Sequence, residues 1–303
     1  MNNAELVIME VERFAIHDGP GIRTTVFLKS CPLRCQWCAN PESQQLATLL
    51  MHYDKKCTSC GRCVRVCPNE AIRWQDNRVS FDRAQCLTCK KCQAACLNQA
   101  IVFSGYAMSI DNIIAEVLRD KEYYDTSGGG ITLSGGEPFA QFPGALQLLM
   151  KSKAHKLHTV VETCGYVKQA HLEEALSFVD LFLFDIKHIK ADKFKQFTGG
   201  ELSVITKNLT WLASIAPDKV LPRIPVIPKF NHSKEEVGAI FDFLKSIGLS
   251  KVCLLPYHSY GSDKYEQLGR TFAYASEESL QGETLAKYIK LGEEKGLIVQ
   301  VGA

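Results

Sequence analysis

Thirteen cysteines occur in the 303-residue chain, and the spacing of three of them could support metal chemistry. Cys31, Cys35 and Cys38 lie in the stretch SCPLRCQWCANPES. A cubane iron–sulfur cluster has four irons, so three cysteines leave one iron open to another molecule. Zinc with three protein ligands also keeps an open position. The triplet therefore predicts a metal centre that binds a small molecule, with iron–sulfur and zinc both open as alternatives.

Eight further cysteines form an internal repeat. CTSCGRCVRVCPNEAI, from position 57, and CLTCKKCQAACLNQAI, from position 86, share the spacing C-x2-C-x2-C-x3-C. In bacterial ferredoxins this run holds two 4Fe–4S clusters, and the fourth cysteine of each run ligates the other cluster. The predicted ligands are Cys57, Cys60, Cys63 and Cys96 for one cluster and Cys86, Cys89, Cys92 and Cys67 for the other. A pair of zinc sites is the alternative, although zinc modules usually use two separated pairs of ligands.

Composition limits the partners and the cellular compartment. A net charge of +2 gives no reason to expect nucleic acid or an anionic membrane as a partner. No apolar run approaches the roughly 20 residues that span a bilayer, and the start MNNAELVIMEVERF lacks the features of a secretion signal. We therefore expect a cytoplasmic protein whose cysteines bind metal and do not form disulfides.

Outside the repeat, the chain alternates between strand and helix patterns. Apolar, β-branched runs typical of buried parallel strands occur at 24–29, 130–135, 158–163, 181–187, 220–227 and 251–258. Helical patterns lie between them, including one over residues 109–124 with Ser109 as its cap and one that begins at Ser233 and ends at Gly248. A closing helix and strand follow near the carboxyl terminus. The prediction is an α/β fold, a partial parallel (β/α)6 barrel with an inserted ferredoxin-like domain.

The predicted organisation has three segments. Residues 1–50 form the first part of the barrel with the cysteine triplet, residues 51–104 form the two-cluster insert, and residues 105–303 complete the barrel. Cys164 and Cys253 fit no ligand spacing, and we expect both to be dispensable for metal binding.

Unusual polar residues fall where the predicted strands end. They are the SGGEP stretch at 134–138, Glu162, Thr163, the DIKH stretch at 185–188, Arg223 and His258. The carboxyl ends of parallel strands are where α/β proteins bind ligands. The cysteine triplet follows the first of these strands, so all of these features are predicted to meet at one rim.

The spacing C-x3-C-x2-C, with Trp37 just before the last cysteine, resembles the signature of the radical S-adenosylmethionine (SAM) superfamily. HDGPGIRTTVFLKSCPLRCQWCANPES, SGGGITLSGGEP, DIKH and LPYH together resemble the glycyl-radical enzyme activating enzymes, in the branch with a two-cluster insert. This resemblance implies a radical SAM barrel whose open iron chelates the methionine part of SAM. It also implies cleavage of SAM to a 5′-deoxyadenosyl radical, which takes hydrogen from a backbone glycine of a partner glycyl-radical enzyme.

Site roles follow from this resemblance. It implies that Cys31, Cys35 and Cys38 hold the catalytic cluster and that Lys187 is a further catalytic residue. The residues that it places around SAM are Trp37, Ala39, Asn40, Gly135, Gly136, Glu137, Glu162, Asp185, Lys187, Arg223 and His258. The implied cofactors are three 4Fe–4S clusters with SAM as cosubstrate.

Some of these roles are more specific. The resemblance implies that Glu162 and Asp185 form a site near the methionyl carboxylate, with a monovalent cation as a candidate cofactor, although the family often has Asp where Glu162 stands. It implies that Lys187 and Arg223 bring positive charge to that end of SAM and that His258 reaches the ribose or adenine side.

Backbone and partner contacts complete the expectations. Gly135 and Gly136 are expected to let the backbone approach the SAM amino group, because a side chain there would block close contact. Asp18 and Arg23 are expected to contact the partner's glycine loop. A flavodoxin or ferredoxin is the expected electron donor, and the insert is expected to relay electrons or to dock the partner. The alternatives are a radical SAM enzyme acting on a small molecule and an iron–sulfur electron-transfer protein.

Overall fold

The structure, a computed structural model, describes residues 5–302, so residues 1–4 and 303 of the predicted barrel segments lie outside it. Within this range no helix has both the length and the apolar composition needed to cross a membrane.

The described strands are β1 (Glu5–Ala15), β2 (Arg23–Leu28), β3 (Leu49–His52), β4 (Ile72–Gln75), β5 (Arg78–Phe81), β6 (Ile101–Ser104), β7 (Tyr106–Ser109), β8 (Gly130–Gly135), β9 (His158–Thr163), β10 (Leu181–Asp185), β11 (Val220–Val226), β12 (Lys251–Pro256) and β13 (Ile298–Val301). The described helices are α1 (Arg62–Val66), α2 (Lys91–Ala95), α3 (Ile110–Leu118), α4 (Lys121–Ser127), α5 (Phe142–Ala154), α6 (Gln169–Ala175), α7 (Ala191–Thr198), α8 (Leu202–Ile215), α9 (Lys234–Ser246), α10 (Ser262–Gln267) and α11 (Ala286–Glu294).

A nine-stranded sheet organises most of the chain. Its strand order is β13-β12-β11-β10-β9-β8-β2-β1-β7. From β2 to β13, neighbouring strands in this order are parallel. Strand β1 is antiparallel to both β2 and β7. The predicted α/β class with a parallel sheet is therefore confirmed.

The predicted strands lie within two residues of their expected bounds, and the expected closing strand is β13. The sequence reading missed β1, whose residues ELVIMEVERFA alternate between buried and more exposed positions over much of their length. That alternation is typical of a half-buried antiparallel strand, whereas the parallel strands appear in the sequence as continuous apolar runs.

Helix caps explain where two predicted helices begin. The hydroxyl of Ser109 accepts a hydrogen bond from a backbone N–H of α3 at 3.2 Å. Ser233 and Glu236 form a reciprocal capping box at the start of α9. The pattern over 109–124 predicted one helix, but the structure has two, because the chain turns at Asp120, whose buried carboxylate pairs with Arg13.

The two faces of the sheet differ in chemistry. Successive side chains of a strand point to opposite faces. In β10, Phe182 and Phe184 belong to the main apolar core, together with residues of the surrounding helices. Asp185 lies on the opposite face, and the neighbouring strands place Glu162 and Arg223 on that face with it. The fold therefore packs one face of the sheet against the helices and brings these three charged groups together on the other.

Residues 49–104 form a smaller unit with their own core. Strands β3 and β6 pair with each other, and β4 and β5 form a hairpin. The core residues of this unit are Leu50, Cys63, Ile72, Cys92, Ile101 and Phe103. Both halves of the repeat have the same local shape, since α1 and α2 each follow a left-handed residue, Gly61 at φ 69° and Lys90 at φ 61°.

Candidate active site

The cysteine triplet lies on the loop that follows β2, and α7 holds this loop in place. The backbone N–H of Arg34 donates to the carbonyl of Thr198 at 2.7 Å, and that of Gln36 donates to the carbonyl of Phe197 at 3.1 Å. Both acceptors lie in the last turn of α7. The N–H of Cys38 donates to the carbonyl of Cys35 at 3.2 Å, which turns the loop between these two thiols.

Burial affects the acidity of the three thiols. It raises the pKa of Cys35, and it raises the pKa of Cys38 to about 11. The thiol of Cys164 forms a hydrogen bond with that of Cys31, which lowers the pKa of Cys31 and raises the pKa of Cys164. Metal ligation requires thiolates, so binding at this loop would release protons.

Four charged residues meet beside this loop, and we call Glu162, Asp185, Lys187 and Arg223 the charged quartet. Arg223 donates through Nη1 to Glu162 Oε1 at 2.6 Å and through Nε to Asp185 Oδ1 at 2.9 Å. Lys187 Nζ donates to Asp185 Oδ2 at 2.9 Å, and the hydroxyl of Ser134 donates to Glu162 Oε2. All four carboxylate oxygens are therefore hydrogen-bonded.

Charge pairing fixes most of the protonation states of the quartet. Burial alone would raise the pKa of Asp185, but Arg223 and Lys187 lower it below its usual value. Burial alone would lower the pKa of Lys187, but Asp185 and the thiol of Cys35 raise it. The pKa of Glu162 is raised because burial outweighs the effect of Arg223. Lys187 thus remains a cation, and its charge acts on the cysteine loop.

Glu137 of the SGGEP stretch is fully buried and joins the ends of two strands. Its carboxylate accepts hydrogen bonds from Thr163 Oγ1 and the Cys164 N–H, each at 2.9 Å, and from the Phe139 N–H at 3.2 Å. Burial raises its pKa. Glu137 therefore holds the end of β9 against the end of β8. It lies next to Cys164, whose thiol contacts Cys31.

Close packing explains why positions 135 and 136 of this stretch are glycines. A Cβ at Gly135, where φ is 102°, would lie 2.4 Å from the carbonyl oxygen of Leu28. A Cβ at Gly136 would lie 2.2 Å from the carbonyl oxygen of Ser30. The absence of side chains therefore lets the end of β8 pack against the start of the cysteine loop.

Residues after β12 cover the cysteine loop, and we call residues 257–274 the strap. Lys264 of the strap donates to Asn40 Oδ1 at 2.8 Å. Gly261 packs so closely that an added Cβ would lie 2.9 Å from Cα of Ala39. Trp37 is 8% exposed, and the centre of its ring lies 4.5 Å from that of Phe230, in the cluster that also contains Tyr265 of the strap. The structure thus places Trp37, Ala39 and Asn40 beneath the strap.

His258 and the start of β2 differ from the other predicted site residues. His258 is exposed, and its ring stacks at 4.5 Å on that of Tyr260. Arg23 is fully buried at the amino end of β2, opposite the rim, and donates to Thr132 Oγ1 at 2.7 Å. The expectation that Arg23 contacts a partner is therefore wrong. Asp18, in the same loop, accepts from Thr25 Oγ1 at 2.6 Å.

Sequence reasoning missed one buried positioning residue. Asn231 donates to the carbonyls of Lys187 at 2.8 Å and Pro225 at 2.7 Å, and it accepts from the N–H of Ile227 at 2.7 Å. It therefore ties the backbone of Lys187 to the end of β11. The only sequence signal was a polar residue four positions after a buried strand, which is too common to single it out.

The insert contains two cavities, each lined by four cysteines. One is lined by Cys57, Cys60, Cys63 and Cys96, and the other by Cys67, Cys86, Cys89 and Cys92. This grouping matches the crossed ligand sets predicted from the repeat. Among residues 5–302, no three His, Cys, Asp or Glu side chains converge on a site for one metal ion. The fit of a cluster therefore rests on how the thiols group around each cavity.

Comparisons with known proteins agree with this arrangement. A 4Fe-4S dicluster domain model matches residues 50–97, and a 4Fe-4S single cluster domain model matches residues 77–213. Isethionate sulfite-lyase activating enzyme of Nitratidesulfovibrio vulgaris is 40% identical over 287 residues, and the match covers 93% of each chain. Benzylsuccinate synthase activating enzyme of Thauera aromatica is 41% identical over 307 residues, covering 98% of this chain and 92% of the relative.

A solved structure supports the fold alone. A radical SAM methyltransferase from Sphaerobacter thermophilus has a TM-score of 0.53 at 13% identity, covering 92% of this chain and 66% of that chain. The identity and coverage of the relatives define the class of protein, and the cysteine motif agrees with it. The chain belongs to the glycyl-radical enzyme activating enzymes of the radical SAM superfamily.

Proposed function

We propose that the charged quartet and the cysteine loop together form the SAM site of this activating enzyme. The family activity is reductive cleavage of SAM and removal of hydrogen from a backbone glycine of a partner enzyme. The observation that carries the proposal is the position of Lys187, which pairs with Asp185 at 2.9 Å and also acts on the thiol of Cys35. The methionine end of SAM must contact a cluster and charged groups at the same time. The cysteine loop and the charged quartet lie side by side and provide both.

The proposed roles of the residues follow from their contacts. Cys31, Cys35 and Cys38 would hold the catalytic cluster, which when bound supplies the electron that cleaves SAM. Lys187 and Arg223 would offset the negative charge of the methionyl carboxylate. Trp37, Ala39, Asn40, Gly135, Gly136, Glu137 and His258 keep the SAM-binding roles that the family resemblance implies.

A monovalent cation does not fit the structure well. Every oxygen of Glu162 and Asp185 already accepts a hydrogen bond from Arg223, Lys187 or Ser134. A cation there would have to displace Arg223 or Lys187. We therefore route no step of the reaction through such an ion.

We also propose that residues 51–104 are an inserted ferredoxin-like domain between barrel segments 1–50 and 105–303. Its separate core and its two cysteine-lined cavities support this division. With the catalytic cluster, the chain would then hold three 4Fe–4S clusters. The insert would pass electrons inward from a flavodoxin or ferredoxin.

The test of the function is the formation of the radical on a partner. Anaerobically reconstituted protein, SAM and a reductant are mixed with each candidate partner, beginning with isethionate sulfite-lyase and benzylsuccinate synthase. We expect a glycyl radical doublet by EPR with one class of partner, and none when that partner's radical-forming glycine is replaced by Ala. Cleavage of SAM without a radical on any partner tested, together with turnover of a small molecule, would instead favour the alternative enzyme.

Cys164 and Cys253 provide a prediction about the ligand set. Both lie outside the proposed ligands, but Cys164 contacts Cys31 whereas Cys253 lies near Arg223. We expect Cys164→Ser and Cys253→Ser to keep the wild-type iron content, about twelve irons per chain for three clusters. Iron analysis after anaerobic reconstitution measures this. A loss of about four irons in Cys164→Ser alone would show that Cys164 is a ligand.

A further inference from the structure

The strap over the cysteine loop is firmly attached to it. Lys264 donates to Asn40 Oδ1 at 2.8 Å and to Glu42 Oε1 at 2.7 Å. Arg270 donates to Gln44 Oε1 at 2.8 Å. These contacts join residues more than 220 positions apart in the chain. The strap therefore holds its inward side chains at a fixed position relative to the three cysteines.

Two buried tyrosines of the strap, Tyr265 and Tyr274, have hydroxyls without a hydrogen-bond partner among residues 5–302, and Tyr265 lies one turn after the contact of Gly261 with the cysteine loop. Tyr265 is 4% exposed, and its hydroxyl has no hydrogen-bond partner among residues 5–302. A buried hydroxyl without a partner costs about 1–3 kcal/mol, so such groups usually have a role. Its ring lies in a cluster of apolar and aromatic side chains that includes Trp37 and Phe230.

The position of Tyr265 places its ring against the cysteine loop. Tyr265 lies one helical turn after Gly261, where an added Cβ would lie 2.9 Å from the carbonyl oxygen of Cys38. The cluster that contains the Tyr265 ring also packs against Cys35. Its hydroxyl, which is protonated at neutral pH, is therefore close to the loop that carries the proposed cluster ligands.

We propose that Tyr265 donates a hydrogen bond to the sulfur of Cys38 when that sulfur is a cluster ligand, and that Tyr265 is thereby a positioning residue that sets the potential of the catalytic cluster. This inference rests on the proposed function, since it requires a cluster on the triplet. A hydrogen bond to a ligand sulfur stabilises the more negative, reduced cluster and so raises its reduction potential. Tyr265 thus makes the catalytic cluster easier to reduce.

The test compares two Tyr-to-Phe variants of the reconstituted full chain. Tyr265→Phe removes the proposed donor, whereas Tyr257→Phe is the matched control, because Tyr257 lies in the same cluster and its hydroxyl already donates to the Tyr274 carbonyl at 3.5 Å. The readout is a redox titration followed by EPR, using the reduced signal that changes when SAM is added. Retained iron content and SAM affinity show that each variant is folded.

We expect Tyr265→Phe to lower the ratio of reduced to oxidised catalytic cluster about tenfold at a fixed potential, which is about 59 mV for one electron. Tyr257→Phe should leave that ratio unchanged. An exchangeable proton coupled to this cluster, detected by ENDOR after transfer to D2O, should be present in the wild type and lost in Tyr265→Phe.

Two results would overturn the inference. One is a wild-type midpoint in folded Tyr265→Phe, and the other is a proton coupling that does not depend on Tyr265. A wild-type protein without any SAM-responsive cluster signal is a different outcome, because it would refute the proposed function on which the inference rests.

Discussion

Replacing Cys35 with Ala is expected to abolish SAM cleavage with every reductant. Cys35 is one of only three proposed anchors of the catalytic cluster, and its thiol lies in a loop that α7 holds in place. Two anchors would leave a second iron without a protein ligand, so the cluster would be lost or would not bind SAM in the right geometry. The measurement is 5′-deoxyadenosine formed under anaerobic conditions, and we expect it to fall to background.

Substitutions in the insert should have a different effect. Cys60 and Cys89 are exposed and line separate cavities of the insert. Cys60→Ala and Cys89→Ala should lose turnover with a protein electron donor, because a proposed relay cluster loses a ligand. A small, strong reductant that reaches the catalytic cluster directly should still give 5′-deoxyadenosine.

Retained SAM binding serves as the control for folding in this comparison. Normal turnover of folded Cys60 and Cys89 variants with the protein donor would show that the insert is not an electron relay. Docking of the partner enzyme would then be the better account of the insert. Activity of Cys35→Ala with the small reductant would contradict the assignment of the catalytic ligands.

Local patterns in the sequence predicted much of the fold. The parallel strands read as short apolar runs because both of their faces are covered, and Ser109 and Ser233 marked helix starts because capping uses a hydroxyl next to the helix. The repeated cysteine spacing predicted how the insert thiols group, since each short helix places its cysteines in the same way.

Long-range contacts could not be predicted in this way. Arg23 stands in a motif at the start of a strand, but only the folded chain shows that its guanidinium is buried under neighbouring strands. Ser134 was visible in the SGGEP stretch, but its bond to Glu162 depends on the register of β8 and β9. Tyr265 reaches the cysteine loop from the far end of the sequence, and no local pattern indicates that approach.

Arg223→Gln is expected to have the largest effect on stability among the site variants. Arg223 is 12% exposed and pairs with both Glu162 and Asp185. Its removal would leave the mostly buried carboxylates of Glu162 and Asp185, and among residues 5–302 Lys187 would be the remaining cation paired with them. Breaking a buried pair in this way costs about 3 kcal/mol or more. With a denaturant slope of about 3 kcal/mol per molar urea, the unfolding midpoint should fall by about 1 M.

Arg223→Gln should also bind SAM more weakly, because uncompensated carboxylates would repel the methionyl carboxylate. We expect the Kd to rise at least about tenfold, which is a loss of about 1.4 kcal/mol of binding free energy. The matched control is Arg119→Gln. Arg119 pairs with Glu116 at 2.8 Å on the surface, where its side chain is 58% exposed. Such a pair on a helix contributes about 0.5 kcal/mol or less, so the control should unfold like the wild type.

The stability deficit of Arg223→Gln should depend on pH. In the wild type, Arg223 lowers the pKa of Asp185 below its usual value and partly offsets the burial that raises the pKa of Glu162. Without Arg223 both pKa values rise, so the folded variant takes up protons more readily than the folded wild type. The stability that Arg223 gives through these carboxylates is therefore fully present at neutral pH and is lost as the pH falls through their pKa values. Anaerobic urea unfolding at a series of pH values should show a deficit that shrinks as the pH falls from neutral toward the ordinary range of carboxyl groups. An equal deficit across the series would mean that Glu162 and Asp185 keep their charges without Arg223, and that Lys187 and Ser134 alone are enough to hold them.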